Sequence, residues 1–466
     1  MVKVCVVGTG FVGLTHAAVT AMFGHTVIGY DSNSEKVAAF SSGDKSRIEK
    51  YIMERGLADL VAEQLKAGRL IFSDNPEIIL DSEIFFMCLP TPYKENGESD
   101  LSYLFSAADT IADILLKRNK QNLVLFVNKS TVPIGTAKKL GAHLLSKNLK
   151  NFDVASNPEF LPEGDAVASA IHSFKIVVGA NNTESFNLLK RVYSNFLGGS
   201  GYVETNPETA EAIKYASNTL LFTQIVSWQA IPGKIAEAFP EVDFDMMKKG
   251  ILADGRIAKW GSYVSAGAGG SCFKKDDLSL AFQLTHKGVD ATFVKLVNDI
   301  NEYHKIYLIE RAEHEANYNF NKKSVVILGT AFKQGTNDMR ESNVLAMVPL
   351  LLAKGVSQIK LYDPLALDEA RKIFDPKKNQ NYSKIIYCDN IVNAVKGTDV
   401  AIISTDHQEF QGLIDIFIAN SSRTENVSVS YLILDGRRMI PSFEIKNLMA
   451  KGIAYLPVGG KYSYKE

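Results

Sequence analysis

The first 205 residues alternate short apolar runs with amphipathic stretches. The apolar runs are rich in β-branched and aromatic residues, and glycine, proline or aspartate bounds most of them, which is typical of buried parallel strands. Because helical patterns separate the runs, the order predicts a doubly wound sheet with helices on both faces. The predicted strands are residues 2–7, 26–30, 84–89, 124–127 and 176–178.

The pattern changes at Pro207. Residues 208–228 show long helical periodicity without strand signals, and helices are expected to about residue 316. Pro232 with Gly233 should kink or break the long helix, because proline removes a backbone hydrogen bond. Alternation resumes at Lys322, so the chain divides into an α/β domain, a central helical segment and a second α/β domain that could repeat the first. The later predicted strands are residues 324–328, 358–362, 400–404 and 431–434. The predicted domains are residues 1–205, 206–316 and 317–466.

Composition is ordinary for a globular protein, with 46% hydrophobic and 22% charged residues. A net charge of −1 gives no reason to expect binding to nucleic acid or to an acidic membrane. No run of 18 apolar residues predicts a membrane span. Cys5, Cys88, Cys272 and Cys388 are far apart and form no CxxC pair, so we expect no metal site and no disulfide framework. A reducing cytoplasm is the predicted location.

A glycine-rich turn, GTGFVG at residues 8–13, follows the first strand and opens a helical pattern. In such a dinucleotide fingerprint Gly8 allows the tight turn, Gly10 lets the backbone approach a pyrophosphate, and Gly13 lets helix and strand pack closely. The phosphates would lie at the helix N-terminus, where free N–H groups favour anions. A tight turn without a ligand is the alternative.

Asp31 closes the second strand, 18 residues after Gly13, where an acidic residue binds the adenosine ribose. Its carboxylate would repel a 2′-phosphate, so NAD is favoured over NADP, although Lys36 is close enough to soften that preference. The equivalent turn of the second α/β domain, GTAFK at residues 329–333, has bulk in place of the second glycine. A dinucleotide pyrophosphate would fit poorly there, and Lys333 suggests a different anion.

A second glycine-rich segment, GAGGSCFKKD, covers residues 267–276. Glycines let the backbone approach a ligand. The thiolate of Cys272 could be favoured by the neighbouring Lys274 and Lys275. If a helix begins at the cysteine, Asp276 shares its face. A flexible loop with an ordinary buried thiol is the alternative at this point.

Three more segments allow either a chemical or a structural interpretation. The segment 157–164 follows a strand, at the carboxyl edge where open α/β sheets bind ligands. Its Glu159 and Glu163 could be a base and a residue that positions water, or solvated acids of a surface loop. In 130–133 (STVP), Thr131 could act in a site at a strand end or be the N-cap of a helix. On the central helix Lys214 and Asn218 share a face, or they are a solvated lysine and an unrelated asparagine.

Together these segments resemble the UDP-glucose/GDP-mannose dehydrogenase family. The resemblance implies two Rossmann-like domains joined by a long central helix, and NAD-dependent four-electron oxidation of the UDP-glucose 6-alcohol to a carboxylate. The alternative substrate is GDP-mannose or another UDP-hexose; a non-catalytic binding protein and a two-electron dehydrogenase are the other hypotheses. The matching pieces occur in the family's order at 8–13, 130–133, 157–161, 211–218, 269–273, 275–276, 331–333, 338–342 and 435–437.

The resemblance also implies roles for individual residues. Cys272 would hold the substrate as a thiohemiacetal and then as a thioester. Lys214 and Asn218 would stabilise a charged oxygen, while Thr131, Glu159 and Asp276 would position or activate water. The implied cofactor contacts are Gly8, Gly10, Phe11, Val12, Gly13, Asp31, Lys36, Thr91, Thr131, Glu163, Lys275 and Arg340. The implied substrate contacts are Glu159, Phe160, Leu161, Lys214, Asn218, Arg256, Tyr263, Gly269, Phe273, Lys333 and Arg437.

Some features concern assembly and specificity. Arg256 would reach substrate in a neighbouring subunit, which predicts a homodimer or a higher homo-oligomer. Pro162, Ala268 and Lys274 stand where the family usually has arginine, phenylalanine and proline. Ala268 and Lys274 lie near the expected substrate, so they bear on the identity of the sugar. Ser271, the residue before the cysteine, resembles the residue found at this position in family members that act on UDP-glucose or GDP-mannose.

Overall fold

The computed structural model describes residues 1–117, 122–196, 201–421 and 431–464. Contacts divide the chain into two compact units, Met1–Asn218 with Lys275–Ala291, and Thr219–Lys274 with Thr292–Glu466. The predicted three-part division stays a prediction, since residues of the central segment contribute to both units. Within the described ranges, the membrane-span criteria of length and apolarity are met by no helix.

The sheet of the first unit has the strand order β3-β2-β1-β4-β5-β6-β7-β8. Neighbouring strands run parallel except β6 and β7, which meet in an antiparallel pair. The predicted strands are all present, and β6 is the strand expected before residue 157. Strands β3 and β8 were not predicted, since each carries polar or exposed positions that weaken its apolar pattern. The strands are β1 Lys3–Val7, β2 Thr26–Tyr30, β3 Leu70–Ser73, β4 Ile84–Met87, β5 Val124–Asn128, β6 Phe152–Ser156, β7 Ile176–Gly179 and β8 Tyr202–Thr205.

Helices cover both faces of this sheet. Alternate residues of β1 belong to different cores: Val4 and Val6 pack on one face, and Cys5 and Val7 on the other. A strand buried on both faces is apolar throughout, as the sequence pattern indicated. The helices up to the central segment are α1 Phe11–Met22, α2 Ser34–Ser41, α3 Lys45–Glu49, α4 Leu57–Lys66, α5 Ser102–Leu116, α6 Thr136–Ser146, α7 Ala166–Ile171 and α8 Thr183–Val192.

The predicted long central helix is present as α9 Pro207–Trp228. It does not break at Pro232. Instead, Gln229–Gly233 forms a π-helical turn that contains Pro232, and α10 Lys234–Ala238 follows directly. The wider turn accommodates a ring that would clash inside a regular α-helix. The remaining helices of the segment are α11 Phe244–Ile251, α12 Phe273–His286 and α13 Thr292–Glu315.

The second unit contains a six-stranded parallel sheet of order β11-β10-β9-β12-β13-β14. This repeats the order of the first six strands of the first sheet, so the predicted pair of Rossmann-like sheets is confirmed. The short strand β11 and the last strand β14 were not predicted. The strands are β9 Ser324–Leu328, β10 Gln358–Tyr362, β11 Ile385–Tyr387, β12 Val400–Ile403, β13 Tyr431–Asp435 and β14 Ile453–Pro457, and the helices α14 Val344–Ala353, α15 Leu367–Ile373, α16 Ile391–Val395, α17 Leu413–Ser421 and α18 Ser442–Ala450.

Candidate active site

The three fingerprint glycines have different surroundings. Gly8 has φ of +87°, and a Cβ on Gly13 would lie 1.9 Å from the Gly8 carbonyl oxygen, so the fold itself requires both glycines. A Cβ on Gly10 would meet no protein atom within 4 Å. Gly10 is also the N-cap of α1. The space above a helix N-terminus therefore suits a pyrophosphate, and these residues fit the predicted dinucleotide.

Asp31 follows β2 directly. Its Oδ2 accepts hydrogen bonds from the Thr9 N–H at 2.8 Å and from Lys36 Nζ at 2.6 Å. Burial raises the pKa of Asp31, but the bonds from Lys36 and Thr9 outweigh it, so the net pKa lies below its ordinary value. Asp31 is thus an ionised acceptor at the end of β2, and Lys36 offsets part of its charge. Its binding of the ribose stays a prediction.

Thr91 and Thr131 are neighbours near the carboxyl ends of β4 and β5. Thr91 Oγ1 donates a hydrogen bond to the Thr131 carbonyl at 2.9 Å. The helix after β5 begins only at Thr136, with Gly135 as its N-cap. The interpretation of Thr131 as a helix cap is therefore wrong, and Thr131 lies in a loop beside the strand end.

The loop after β6 does not display its first acid to solvent. Glu159 is 12% exposed, and its Oε1 lies 3.9 Å from the Nζ of Lys214, which is 6% exposed. Glu159 Oε2 also accepts the N–H of Leu161 at 2.5 Å. Lys214 lies 5.0 Å from the centre of the Phe160 ring. A solvated lysine and a solvated Glu159 are therefore excluded; Glu163 is half-buried.

The second polar residue of the central helix is bound to the start of α12. Asn218 Nδ2 donates to Asp276 Oδ2 at 2.6 Å, and Lys275 Nζ lies 2.5 Å from Asp276 Oδ1. Asp276 is completely buried, and these two partners satisfy one carboxylate oxygen each. The hydrogen bond from Asn218 to Asp276 contradicts the interpretation of Asn218 as an asparagine unrelated to the other candidate residues.

Two buried polar residues were given no role by the sequence reasoning. Lys129 Nζ donates to Asn157 Oδ1 at 3.0 Å, and burial lowers the pKa of Lys129 to about 8. Glu211 accepts the N–H groups of Gly135 and Ala137, at 2.6 and 2.9 Å, and fixes the loop after β5 to α9. Lys129 precedes the segment 130–133 and Glu211 begins the segment 211–218, and those positions were the available signal.

All four cysteines lie in the described residues, and Cys272 alone is exposed. Burial raises the pKa of Cys88 to about 12, and it also raises the pKa of Cys5 and of Cys388. The interpretation of Cys272 as an ordinary buried thiol is therefore wrong. Helix α12 begins one residue after Cys272, at Phe273.

The loop before Cys272 is fixed by its backbone. The Ala268 N–H donates to Asn301 Oδ1 at 2.7 Å, and Asn301 Nδ2 returns a bond to the Ala268 carbonyl at 2.9 Å. A Cβ on Gly269 would lie 2.7 Å from the Glu341 carbonyl oxygen. Phe273 stacks on Phe222 with ring centres 5.4 Å apart. The glycines thus permit close packing inside the second unit.

At the carboxyl edge of the second sheet, Arg437 joins loops that follow β9 and β12. Its Nη2 donates to the Phe332 carbonyl at 3.0 Å, and its Nε donates to the Ser404 carbonyl at 2.9 Å. The strand order reverses between β9 and β12, which is where open α/β sheets bind ligands. Lys333 is half-buried next to Phe332. Burial raises the pKa of Tyr263 above its ordinary value, although the charge of Arg437 opposes the shift.

Two predicted ligand contacts lie on exposed loops instead. The Arg256 side chain is 89% exposed and pairs with Asp254 at 2.6 Å. The Arg340 side chain is 61% exposed and pairs with Asp338 at 2.6 Å. Each guanidinium is accessible, and each is held by a carboxylate two residues earlier in the chain. Their roles toward substrate and cofactor stay predictions.

Three models of one family match the chain in sequence order. They describe the NAD binding domain at residues 2–197, the central domain at 208–303 and the UDP binding domain at 326–442 of the UDP-glucose/GDP-mannose dehydrogenase family. The predictions of the family and of NAD as cofactor are confirmed by these matches.

Similar proteins cover nearly the whole chain. The UDP-glucose 6-dehydrogenase of Rickettsia felis is 32% identical over 98% of this chain and 96% of its own length. UDP-glucose 6-dehydrogenase TuaD of Bacillus subtilis is 31% identical over 98% and 93%. A solved UDP-glucose dehydrogenase from Pyrobaculum islandicum is 28% identical, covers 99% of this chain and 98% of its own, and has a TM-score of 0.85. The two sheets, the glycine-rich turn and the near full-length relatives all indicate the same family. This chain is an enzyme of the UDP-glucose/GDP-mannose dehydrogenase family.

Proposed function

We propose that this enzyme oxidises the C6 alcohol of UDP-glucose to the carboxylate of UDP-glucuronate through a thioester on Cys272. The observation that carries the proposal is the exposure of Cys272 at the end of a glycine-rich loop, in contrast to three buried cysteines. The near full-length relatives named UDP-glucose 6-dehydrogenase support the choice of sugar.

NAD, when bound, takes up a hydride in each of two successive oxidations. The chain would hold the pyrophosphate of NAD at the start of α1, where Gly10 leaves room. It would hold the adenosine ribose of NAD at Asp31. Thr91, Thr131 and Glu163 contribute to the nicotinamide side. Lys275 and Arg340 complete the predicted contacts.

The first oxidation converts the alcohol to an aldehyde. The Cys272 sulfur then bonds to the carbonyl carbon, and its proton passes to the carbonyl oxygen, which gives a thiohemiacetal. Loss of a hydride from that carbon and a proton from its hydroxyl leaves a thioester. Lys214 and Asn218 stabilise the oxygen when it carries negative charge. Covalent capture keeps a reactive aldehyde from diffusing away.

Hydrolysis restores the enzyme. Water adds to the thioester carbon, the carbon–sulfur bond breaks, and the carboxylate leaves as Cys272 recovers a proton. Asp276, Glu159 and Thr131 position or activate this water. Asp276 is suited to the task because two hydrogen-bonding partners hold its buried carboxylate in one orientation.

The nucleotide is held by cations and aromatic groups of the second unit. Lys333 and Arg437 supply positive charge for a diphosphate, and Tyr263 with Gly269 and Phe273 lines the approach to the sugar. Phe160 and Leu161 complete the sugar contacts. Arg256, which is highly exposed, serves a neighbouring copy, so we expect a homodimer or a higher homo-oligomer; a cytoplasmic location also stays a prediction.

The test is the amount of NADH formed per UDP-glucose consumed, with GDP-mannose in a parallel reaction. Two NADH per UDP-glucose support both the sugar and the four-electron chemistry. One NADH means that the reaction stops at the aldehyde. Turnover of GDP-mannose alone keeps the chemistry and replaces the sugar.

Cys272→Ser separates the covalent step from binding. We expect this variant to bind NAD normally and to make no thioester, which acid quench and mass spectrometry of the protein would detect. Cys388→Ala is the matched control, because Cys388 is buried in the second sheet's core and has no role in the reaction. Formation of acid by Cys272→Ser at the native rate would refute the covalent mechanism.

A further inference from the structure

Four charged side chains form a compact cluster beside the cysteine loop, all within the second unit. Lys274 Nζ lies 3.1 Å from both Glu302 Oε2 and Glu341 Oε2. Lys305 Nζ lies 2.7 Å from Glu302 Oε1 and 2.9 Å from Glu341 Oε2. Two cations and two carboxylates therefore alternate, and the cluster carries no net charge.

The cluster is partly shielded from water. Lys305 is 4% exposed, while Lys274 and Glu341 are 25% and 26% exposed. Burial raises the pKa of Glu341, but Lys305 and Lys274 outweigh it and bring the pKa below its ordinary value. Ion pairs with restricted exposure are screened less than surface pairs. The pairing of Glu341 with Lys274 and Lys305 is therefore stronger than a typical surface salt bridge.

Cys272 lies between two anchors to the same short segment. On its N-terminal side, the Gly270 N–H donates to the Arg340 carbonyl at 3.0 Å. On its C-terminal side, Lys274 pairs with the adjacent Glu341. Glu341 has φ of +57°, an unfavourable conformation for a residue with a side chain, and the surrounding contacts must maintain it. The segment 340–341 thus holds the cysteine loop on both sides of the thiol.

We propose that Lys274 is a positioning residue, which fixes Cys272 for capture of the aldehyde by pairing with Glu341. This inference rests on the proposed function, because the captured aldehyde is its intermediate. Lys274 stands where the family usually has proline, and it faces the carboxylates of Glu302 and Glu341 in its own unit. These contacts give this lysine a role other than selection of the sugar. Without the pair, the bonds of Ala268 and Gly270 still hold the N-terminal side of the loop, but the side-chain anchor on the C-terminal side of Cys272 is lost. The thiol then moves more, and the first oxidation proceeds while capture fails.

The test compares Lys274→Met with Lys274→Arg and with Lys372→Met. Lys372 is a matched control because it also forms a lysine–glutamate pair in the second unit, with Glu369 on α15. Lys274→Met should fold, since Lys305 still contacts both carboxylates of the cluster.

Two measurements follow the loop and the reaction separately. Amide hydrogen exchange of the peptide 267–274, in the ligand-free protein, should be about fivefold faster in Lys274→Met, as expected for the loss of one partly exposed ion pair. Turnover in the presence of hydroxylamine, which traps free aldehyde, should show the NADH yield per UDP-glucose falling from two toward one. Lys274→Arg should restore both values, and Lys372→Met should leave both unchanged.

The outcomes distinguish this inference from the proposed function. Unchanged exchange in Lys274→Met, or faster exchange without released aldehyde, overturns the positioning role while the native yield of two NADH stands. A native yield of one NADH refutes the proposed function instead, and with it the capture step for which Lys274 is assigned.

Discussion

The two Rossmann-like sheets share a strand order but differ in the turn that follows the first strand. After β1, Gly8 turns the chain at φ of +87° and helix α1 begins at Phe11. After β9, Gly329 turns it at φ of +90°, yet the described chain forms no helix until α14 begins at Val344. Only the first turn therefore has a helix N-terminus, with its free N–H groups, directly beside the strand end.

The aspartates that close the second strands show the same divergence. Asp31 is 12% exposed, and it accepts bonds from the N–H groups of Thr9 and Asn33 and from Lys36. Asp363 is buried, and its two oxygens accept the N–H groups of Thr330, Ala331, Leu365 and Ala366, while His407 Nε2 lies 3.1 Å away. Both carboxylates bind donors of their own fold, but only Asp31 keeps part of its side chain exposed, whereas that of Asp363 is completely buried.

The comparison teaches that a shared topology fixes where a ligand can bind but not which ligand binds. In the first sheet, the N-terminus of α1 lies beside the turn, and there we propose the pyrophosphate site. In the second sheet, no helix N-terminus adjoins the turn in the described chain, and Asp363 binds the N–H groups of Thr330 and Ala331, so we expect the positive charge from side chains such as Lys333 and Arg437. The division of NAD binding and UDP binding between the family's two domains fits this physical difference.

Asp363→Asn should produce the largest effect, because an amide NH₂ cannot accept the bonds that the carboxylate accepts. We expect a loss of about 4 kcal/mol in the free energy of unfolding, from several buried donors left without acceptors. Asp31→Asn, the matched change in the first sheet, should cost about 1 kcal/mol. Urea denaturation of both variants measures the difference, and equal losses would contradict the distinction between the two aspartates.

Gly10→Ala should weaken NAD binding about a hundredfold, because its methyl group would occupy the space that we assign to the pyrophosphate. It should change the free energy of unfolding by less than about 1 kcal/mol, since that space contains no protein atoms. Gly13→Ala is the contrasting variant, because its Cβ would collide with the Gly8 carbonyl oxygen and destabilise the fold. Calorimetric titration with NAD would decide, and undiminished affinity in Gly10→Ala would place the pyrophosphate elsewhere.

Acid should destabilise the second sheet through Asp363. Burial raises the pKa of Asp363, but the hydrogen bond and charge of His407 and the backbone donors lower it to about 2. A carboxyl whose pKa is lower in the folded state stabilises the fold above about pH 4 and loses that contribution as pH falls toward 2, about 2 kcal/mol in all. Unfolding measured from pH 5 to pH 2 should show this loss in the native chain, and Asp363→Asn should lack that component.

Lys36→Ala should have the smallest effect. Removing the ammonium leaves the charge of Asp31 uncompensated, so the preference for NAD over NADP should rise about fivefold, which corresponds to about 1 kcal/mol. Asp31→Ala should instead weaken NAD binding selectively. Initial rates with both cofactors test this, and equal use of NADP by the native enzyme would contradict our interpretation of Asp31.

The sequence predicted best where a pattern has one physical cause. The apolar strands buried on both faces were found because nothing polar interrupts them, and the fingerprint was found because three glycines coincide with a strand and a helix. Strand β8 was missed because YVET at the sheet edge is half polar. Strand β6 was expected before residue 157 but without bounds, because Asp153 interrupts its apolar pattern.

The candidate site was predictable in its residues but not in their partners. Spacing placed Lys214 and Asn218 on one helix face, yet only the fold shows that Asn218 binds Asp276, 58 residues away in sequence. Lys274 drew attention as an unusual residue near the cysteine. Its pairing with Glu341 depends on a contact across 67 residues, which no local pattern encodes.

The π-helical turn at Gln229–Gly233 has a consequence for the history of the chain. A turn closed by i→i+5 bonds contains one residue more than an α-helical turn, so it is the form that a single-codon insertion takes when a long helix absorbs it. Relatives with an uninterrupted helix should therefore align here only with a one-residue gap. Deleting one residue from 229–233 should therefore restore a regular α-helix only if Pro232 is replaced as well, because the wider turn accommodates its ring.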